Sequence, residues 1–306
     1  KDFNILSFNF FNPFYNLCYK LISPFFFLQY IYIFIPKYWG VKLLFFCLLK
    51  HYCNVILTYF LFTMNIIKLN AIDSTNSYLI NLSKEVKLED PTIVITNKQT
   101  KGRGQHGTSW QSVPQQSLLF SMFKRFEDLP SNKISSITYA VSLGVENALK
   151  KCKIPNIVIK WPNDIMSRSK KMAGILIENQ IKQGNVVSSV IGLGINVNEE
   201  KFKSLPQATS MFLATGNKFD LNEVLQLVIE EILIQLNKLE KGEHADLKIK
   251  YESSLFRKNM ISVFEFPGGY RFNGKIKGVN EIGKIVIENE NEISTSYQLK
   301  EIKMLF

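Results

Sequence analysis

From Met64 onward the apolar positions follow two rhythms, and each predicts a kind of element. "TIVITN" (Thr92–Asn97) is a run of β-branched residues bounded by polar ones, which predicts a buried strand. "SLLFSMF" (Ser117–Phe123) predicts a second strand, and "NIVIKW", "GILIEN" and "VVSSVIGLGINVN" predict three more. Between Ile134 and Lys151, Ile137, Val141, Val145 and Leu149 recur at helical spacing. A longer helix is predicted over Asp220–Leu239, where Val224, Leu225, Val228, Ile232 and Leu236 form the stripe and Asp220 with Glu223 gives a capping-box-like start. "STNSYLINLSKE" (Ser74–Glu85) predicts a short helix with a capping residue at its head. After Lys258 the texture changes to short alternating runs separated by "PGGY", "NEIG" and "NENE", which are hairpin signals. The expectation is an α+β chain: a mixed β-sheet with helices over residues 64–258, then a small β-barrel over 259–306.

Residues 1–63 do not share this texture. They are rich in Phe, Tyr, Ile and Leu and contain no Ala, Glu, Arg or Met. Two origins fit: an upstream artefact, as AT-rich codons read through ahead of Met64 would produce, or a membrane segment. The uninterrupted apolar runs, broken by Pro24, Pro36, Lys37, Lys42 and Lys50, fall short of the roughly 20 residues that span a bilayer. The expectation is an apolar, non-globular extension.

The net charge of +11 invites a nucleic-acid or membrane reading. Five of the 37 basic residues and one of the 26 acidic ones lie in the first 63, leaving 32 and 25 in the rest. That balance is mildly basic with no Lys/Arg run, so small phosphate-bearing molecules or an acidic partner protein account for it. No DNA partner is expected. Only Cys152 lies beyond Met64, so that part has no internal disulfide, and no Cys/His spacing fits zinc. A reducing, cytoplasmic setting is expected.

The chemistry concentrates in ordered short stretches. "QTKGRGQHGTSW" carries Gly102, Gly104 and Gly107 in a G-x-G-x-x-G spacing beside Lys101, Arg103 and His106. A dinucleotide-binding turn needs a helix opening on its glycines, and Pro114 follows instead. A P-loop needs a Lys where Thr108 stands. What remains is a loop whose backbone N–H groups and cations can close over an anion. "KWPNDIM" places Lys160 beside Asn163 and Asp164 at the end of an apolar strand, where amide and carboxylate oxygens suit Mg2+. "KKMAGILIEN" sets Lys171 ahead of a buried strand, and "GLGINVN" gives a further close backbone approach ending at Asn196.

Taken in order, "STN", "QTKGRGQHGTSW", "KWPNDI", "KMAGILIE" and "GLGINVN" resemble the catalytic core of a biotin–protein ligase, of the biotin–[acetyl-CoA-carboxylase] ligase type. The resemblance covers about residues 65–306, and residues 1–63 lack the winged helix-turn-helix that some members carry. It implies a small SH3-like barrel at the C-terminus. It implies formation of biotinyl-5′-AMP from biotin and ATP with Mg2+, then transfer to one lysine of a biotin carboxyl carrier protein. The biotin pocket it implies holds Ser74, Thr75, Asn76, Gln99, Arg103, Gly104, Gln105, Lys171 and Gly174. Lys160, Trp110, Asn163 and Asn196 fall on the nucleotide, Asn163 and Asp164 on the metal, and Arg103, Lys171 and Asp164 on the reaction itself. Gly192 joins Gly174 as a place where backbone reaches the ligand.

One departure stands out. Members continue Gly-Arg-Gly with two basic residues, and Gln105 and His106 stand here instead. Retention of the activated intermediate is expected to be leakier. A lipoate–protein ligase shares the fold and the adenylation logic but lacks these loop and Lys-Trp-Pro-Asn-Asp motifs. Sheet-to-sheet dimers are common among relatives, which leaves a homodimer open.

Overall fold

The computed structural model describes residues 64–202 and 205–306. The expectation of an apolar extension at 1–63 lies outside the described residues. Among those described, no helix is long and apolar enough to cross a membrane.

The larger sheet has seven strands in the order β1-β2-β3-β7-β6-β5-β4. In chain order they are β1 (Asn65–Ile72), β2 (Thr92–Gln99), β3 (Ser117–Arg125), β4 (Ile157–Lys160), β5 (Asp164–Ser167), β6 (Lys170–Lys182) and β7 (Asn185–Asn196). β1 pairs with β2 in parallel and the other pairings are antiparallel, so the sheet is mixed as expected. Helix α1 (Thr75–Glu85) covers one face. The other face carries α2 (Ser135–Lys151) and α4 (Leu221–Glu240), followed by α5 (His244–Ser253), with a short α3 (Met211–Thr215) before α4.

Strand alternation sorts the side chains between these layers. On β2, Ile93 and Ile95 join the main core under α2 and α4, while Val94 points to the smaller core with Leu79 of α1 and Phe123 of β3. That explains why "TIVITN" reads as uninterrupted apolar sequence: both faces of the strand are covered. The two long helices cross closely at Gly144, where a Cβ would lie 2.6 Å from the Ile232 Cα. Asp220 caps α4 by accepting from the Asn222 and Glu223 amides at 2.8 and 3.0 Å.

The C-terminal strands are β8 (Ile261–Glu265), β9 (Arg271–Val279), β10 (Ile285–Asn289), β11 (Ser294–Tyr297) and β12 (Lys303–Leu305). They form a five-stranded antiparallel sheet in the order β11-β10-β9-β8-β12, consistent with an SH3-like barrel. Its inward residues Phe264, Ile276, Ile285 and Ile287 are continuous with the main core. The turn after β9 is fastened to the larger sheet: the Trp161 indole N–H donates to the Gly283 carbonyl at 2.9 Å.

Besides the five-residue α3, three elements have no counterpart in the sequence pattern. β1 is an edge strand with mixed exposure. β5 is four residues long and opens on Asp164. α5 buries only Leu247 and Tyr251, one turn apart, and so shows no stripe.

Candidate active site

Motifs from the C-terminal ends of β1 and β2, the β4–β5 turn and the glycine-bearing stretches of β6 and β7 meet at one cavity of about 330 Å³. Its polar wall is the N-terminus of α1 facing the end of β2. The Ser74 hydroxyl caps the helix by accepting from the Ser77 amide. Gln99 Oε1 accepts from the Thr75 amide at 2.9 Å and lies 3.2 Å from the Thr75 hydroxyl. Asn76 Oδ1 accepts from the Ser121 hydroxyl at 2.6 Å, while its Nδ2 donates to the Leu176 carbonyl and to Glu178. Ser74, Thr75 and Asn76 are buried, Gln99 is half-buried, and all are mutually oriented, which is what a wall that reads donors and acceptors on a ligand requires.

The floor is glycine. Gly174 of β6 and Gly194 of β7 are register partners. The Trp110 indole lies on them: a Cβ on Gly194 would fall 2.3 Å from its Cε2, and one on Gly174 would fall 2.9 Å from its Cζ3. Gly192 lies under Asn76 in the same way. The Trp110 Nε1 is buried with no hydrogen-bond partner among the described residues, a donor open to an acceptor on a ligand.

The glycine loop is folded on itself more than the sequence suggests. The Gly104 amide donates to the Thr108 carbonyl at 2.7 Å, and the Trp110 amide donates to the Gly102 carbonyl at 2.9 Å. A Cβ on Gly102 would meet the Trp110 carbonyl oxygen at 2.5 Å, and one on Gly104 the Thr108 hydroxyl at 2.4 Å. Both glycines are therefore needed for the loop to close. Gly104's N–H is committed to that closure in this structure, where the sequence reading expected it to face an anion. Gln105 lines the cavity from the 3-10 turn Gln105–Gly107.

Three cations and one acid line the cavity's reactive side. Lys171 pairs with Asp164 at 2.7 Å and its Nζ stands 5.4 Å from the Trp110 ring centre. Lys160 and Asp164 face each other across the β4–β5 hairpin. Burial lowers the Lys160 pKa; Lys171 and Lys303 add to that and Asp164 works against it. The Lys160 Nζ stands 4.9 Å from the Phe306 ring centre. Arg103 also lines the cavity, with its guanidinium held by the Ser77 hydroxyl at 3.0 Å and Glu178 at 2.6 Å. Asn163 donates to the Ile175 carbonyl at 2.5 Å, which locks the hairpin turn onto β6.

Of the residues named from the sequence, Asn196 is not among those lining the cavity. It is buried and donates to the Thr209 carbonyl at 3.0 Å, tying the end of β7 to the segment before α3. The structure adds residues that the motifs missed. Ser121 on β3 completes the polar wall, Glu178 anchors Arg103, and Leu299 and Lys300 of the C-terminal sheet reach the rim. Glu178 was legible in hindsight, since Gly174, Leu176 and Glu178 alternate along one face of β6. An adjoining cavity of about 670 Å³ shares Lys160, Trp161, Asp164 and Lys171 and runs on between the two sheets toward Phe264 and Phe306.

A pocket that joins a polar reading wall to clustered cations fits a small acid and a phosphate-bearing partner, and relatives point the same way. Residues 69–196 match the model of the biotin/lipoate A/B protein ligase family. The chain is 29% identical over 229 residues to the bifunctional ligase/repressor BirA of Escherichia coli, covering 74% of this chain and 70% of that protein. It is 28% identical over 221 residues to the biotin–[acetyl-CoA-carboxylase] ligase of Mycobacterium tuberculosis, covering 70% and 80%. Among solved structures, the biotin protein ligase from Aquifex aeolicus in complex with biotin and ATP superposes with a TM-score of 0.64 at 29% identity, covering 79% of this chain and 98% of that one. Through residues 69–196 this chain is similar to the biotin/lipoate A/B protein ligase family.

Proposed function

We propose that the protein activates biotin with ATP to biotinyl-5′-AMP and transfers the biotinyl group to a lysine of a biotin carboxyl carrier protein. The observation that carries this reading is the convergence of Arg103, Lys160 and Lys171 on one cavity whose opposite wall is Ser74, Thr75, Asn76 and Gln99. Both reacting groups are anions and repel each other, so the first requirement is a site where cations offset that repulsion. The hydroxyl and amide groups of the polar wall suit the ureido head of biotin, whose own donors and acceptors need partners once buried. With the head there, the valeryl chain runs past the Trp110 indole that covers the glycine floor, and its carboxylate comes toward Lys171. The larger adjoining cavity gives the nucleotide room beside Lys160.

In the first step a biotin carboxylate oxygen attacks the α-phosphorus, and the bond to the departing pyrophosphate breaks. Lys171 and Arg103 stabilise the charge that builds on the phosphoryl oxygens. In the second step the acceptor amine attacks the acyl carbon of the mixed anhydride, AMP leaves, and the amine gives up a proton. Asp164, already bound to Lys171, is placed to orient that amine. Asp164 is the one carboxylate among the residues lining this cavity. With Asn163 beside it, the donor set fits a Mg2+ that takes its remaining oxygens from ATP phosphates. Such an ion, bound with ATP, would screen phosphate charge.

Lipoate is the second candidate acid, and two of the relatives named above are named as biotin ligases. The test is biotin-dependent ATP–pyrophosphate exchange by the full chain, followed by streptavidin blotting of a carrier domain, with lipoate in a parallel arm. Exchange and labelling with biotin alone support the reading; exchange with lipoate alone overturns it.

A further inference from the structure

Glu178 has no place in the chemistry above, yet both of its carboxylate oxygens are engaged at the site. Oε1 accepts from Arg103 Nη2 at 2.6 Å and Oε2 accepts from Asn76 Nδ2 at 2.8 Å. Arg103 belongs to the glycine loop, Asn76 to the first turn of α1 and Glu178 to β6, so one side chain joins three separate elements. The corner is closed by Ser77, next along α1, which accepts from Arg103 Nη1 at 3.0 Å.

The arrangement fixes two orientations at once. A carboxylate can only accept, so the Asn76 amide must present its NH2 to Glu178 and its oxygen to Ser121. The same carboxylate takes the outer end of the Arg103 guanidinium, so the loop carrying Gly102 and Gly104 is held against the sheet. As a contribution to stability such a half-exposed pair is worth little, because water and salt screen it. Its consequence is geometric.

We infer that Glu178 is a positioning residue that aligns Arg103 and Asn76 for ligand, acting through its two oxygens on the loop and the helix together. This rests on the biotin reading for its ligand, while the clamp itself rests on the contacts alone. Glu178→Gln keeps the size but turns one acceptor into a donor, so it cannot serve both partners. Glu178→Asp keeps the charge but is one methylene short of spanning both.

In the full chain, Glu178→Gln is expected to raise the biotin KM for pyrophosphate exchange about tenfold, a loss of one charge-assisted contact, and to lower kcat because Arg103 also serves the phosphoryl charge in the transition state, while the ATP KM moves by less than about twofold. It is also expected to speed trypsin cleavage after Arg103 by freeing the loop. Glu178→Asp should fall between wild type and Gln in both readouts, and it carries the test if the Gln variant does not fold. Unchanged cleavage overturns the inference whether or not the wild type exchanges pyrophosphate. Biotin and ATP KM values that rise together also overturn it, since a general structural fault would move both. A wild type that shows no exchange sinks the biotin reading and leaves the clamp to stand or fall on cleavage.

Discussion

Gly192→Ala should be one of the more damaging single-methyl additions in this protein. The new Cβ would lie 2.1 Å from Asn76 Oδ1, 2.8 Å from its Cγ and 3.1 Å from its Nδ2. Ordinary contact begins near ~3.5 Å, so the amide must withdraw by more than about 1 Å. Neither side can yield easily. Gly192 sits on β7, paired on one side with Ser121 and on the other with Leu176. Asn76 is buried and held by those same neighbours, through the Ser121 hydroxyl at 2.6 Å and the Leu176 carbonyl at 3.2 Å. Overpacking of a rigid site costs about 1–3 kcal/mol. Breaking the Ser121–Asn76 bond adds about 1 kcal/mol, for a total of about 2–4 kcal/mol. Denaturant unfolding of wild type, Gly192→Ala, Asn76→Ala and the double variant measures it. Once Asn76 is truncated the methyl has room, so the double variant should be as stable as Asn76→Ala to within about 0.5 kcal/mol. If the two single losses simply add, or if Gly192→Ala costs less than about 0.5 kcal/mol, the close-approach account of this glycine is wrong.

Lys171→Ala should lower the rate of pyrophosphate exchange by about 10²–10³-fold, the usual loss for one preorganised charge-stabilising group, and a loss under tenfold would move the reaction away from this cavity. Gln105→Arg should slow release of the adenylate about fivefold, from an exposed ion contact of about 1 kcal/mol; equal release rates from the two proteins would refute the idea that the neutral residue leaks. Glu199 should make stability fall with rising pH. Burial raises its pKa from 4.5 to about 7. Ser117 donates to one of its oxygens, while the other is buried with no partner among the described residues. The folded state therefore binds the proton more tightly than the unfolded one. Its stabilisation is complete below the unfolded value and is lost as pH rises through about 7. Unfolding free energies at pH 5 and pH 8 should differ by about 2–3 kcal/mol from this group, and Glu199→Gln should remove that difference.

The sequence alone determined those elements whose burial is periodic along the chain. Asp220–Leu239 buries one helical stripe, Ile134–Lys151 carries a helical apolar spacing within a helix buried on most sides, and "TIVITN" and "SLLFSMF" bury both faces of a strand, so local spacing carries the information. It also named many of the residues that line the cavity, because these lie in short contiguous motifs. Other features depended on partners that the packing supplies. β1 and β5 are strands only because β2 and β6 pair with them, and α5 is held by Leu247 and Tyr251 without a stripe of its own. Glycine types alone did not say what each glycine admits: Gly102 and Gly104 make room for the loop itself, Gly192 for Asn76 and Gly194 for Trp110. Asn196 reads like its neighbours in "GLGINVN", yet its amide is taken up by the Thr209 carbonyl. Glu178 acquires its meaning only when β6, α1 and the glycine loop close on one corner. Periodicity is a property of neighbours along the chain, whereas a clash, a hydrogen bond or an ion pair is a property of atoms brought within a few ångströms by the packing of the whole.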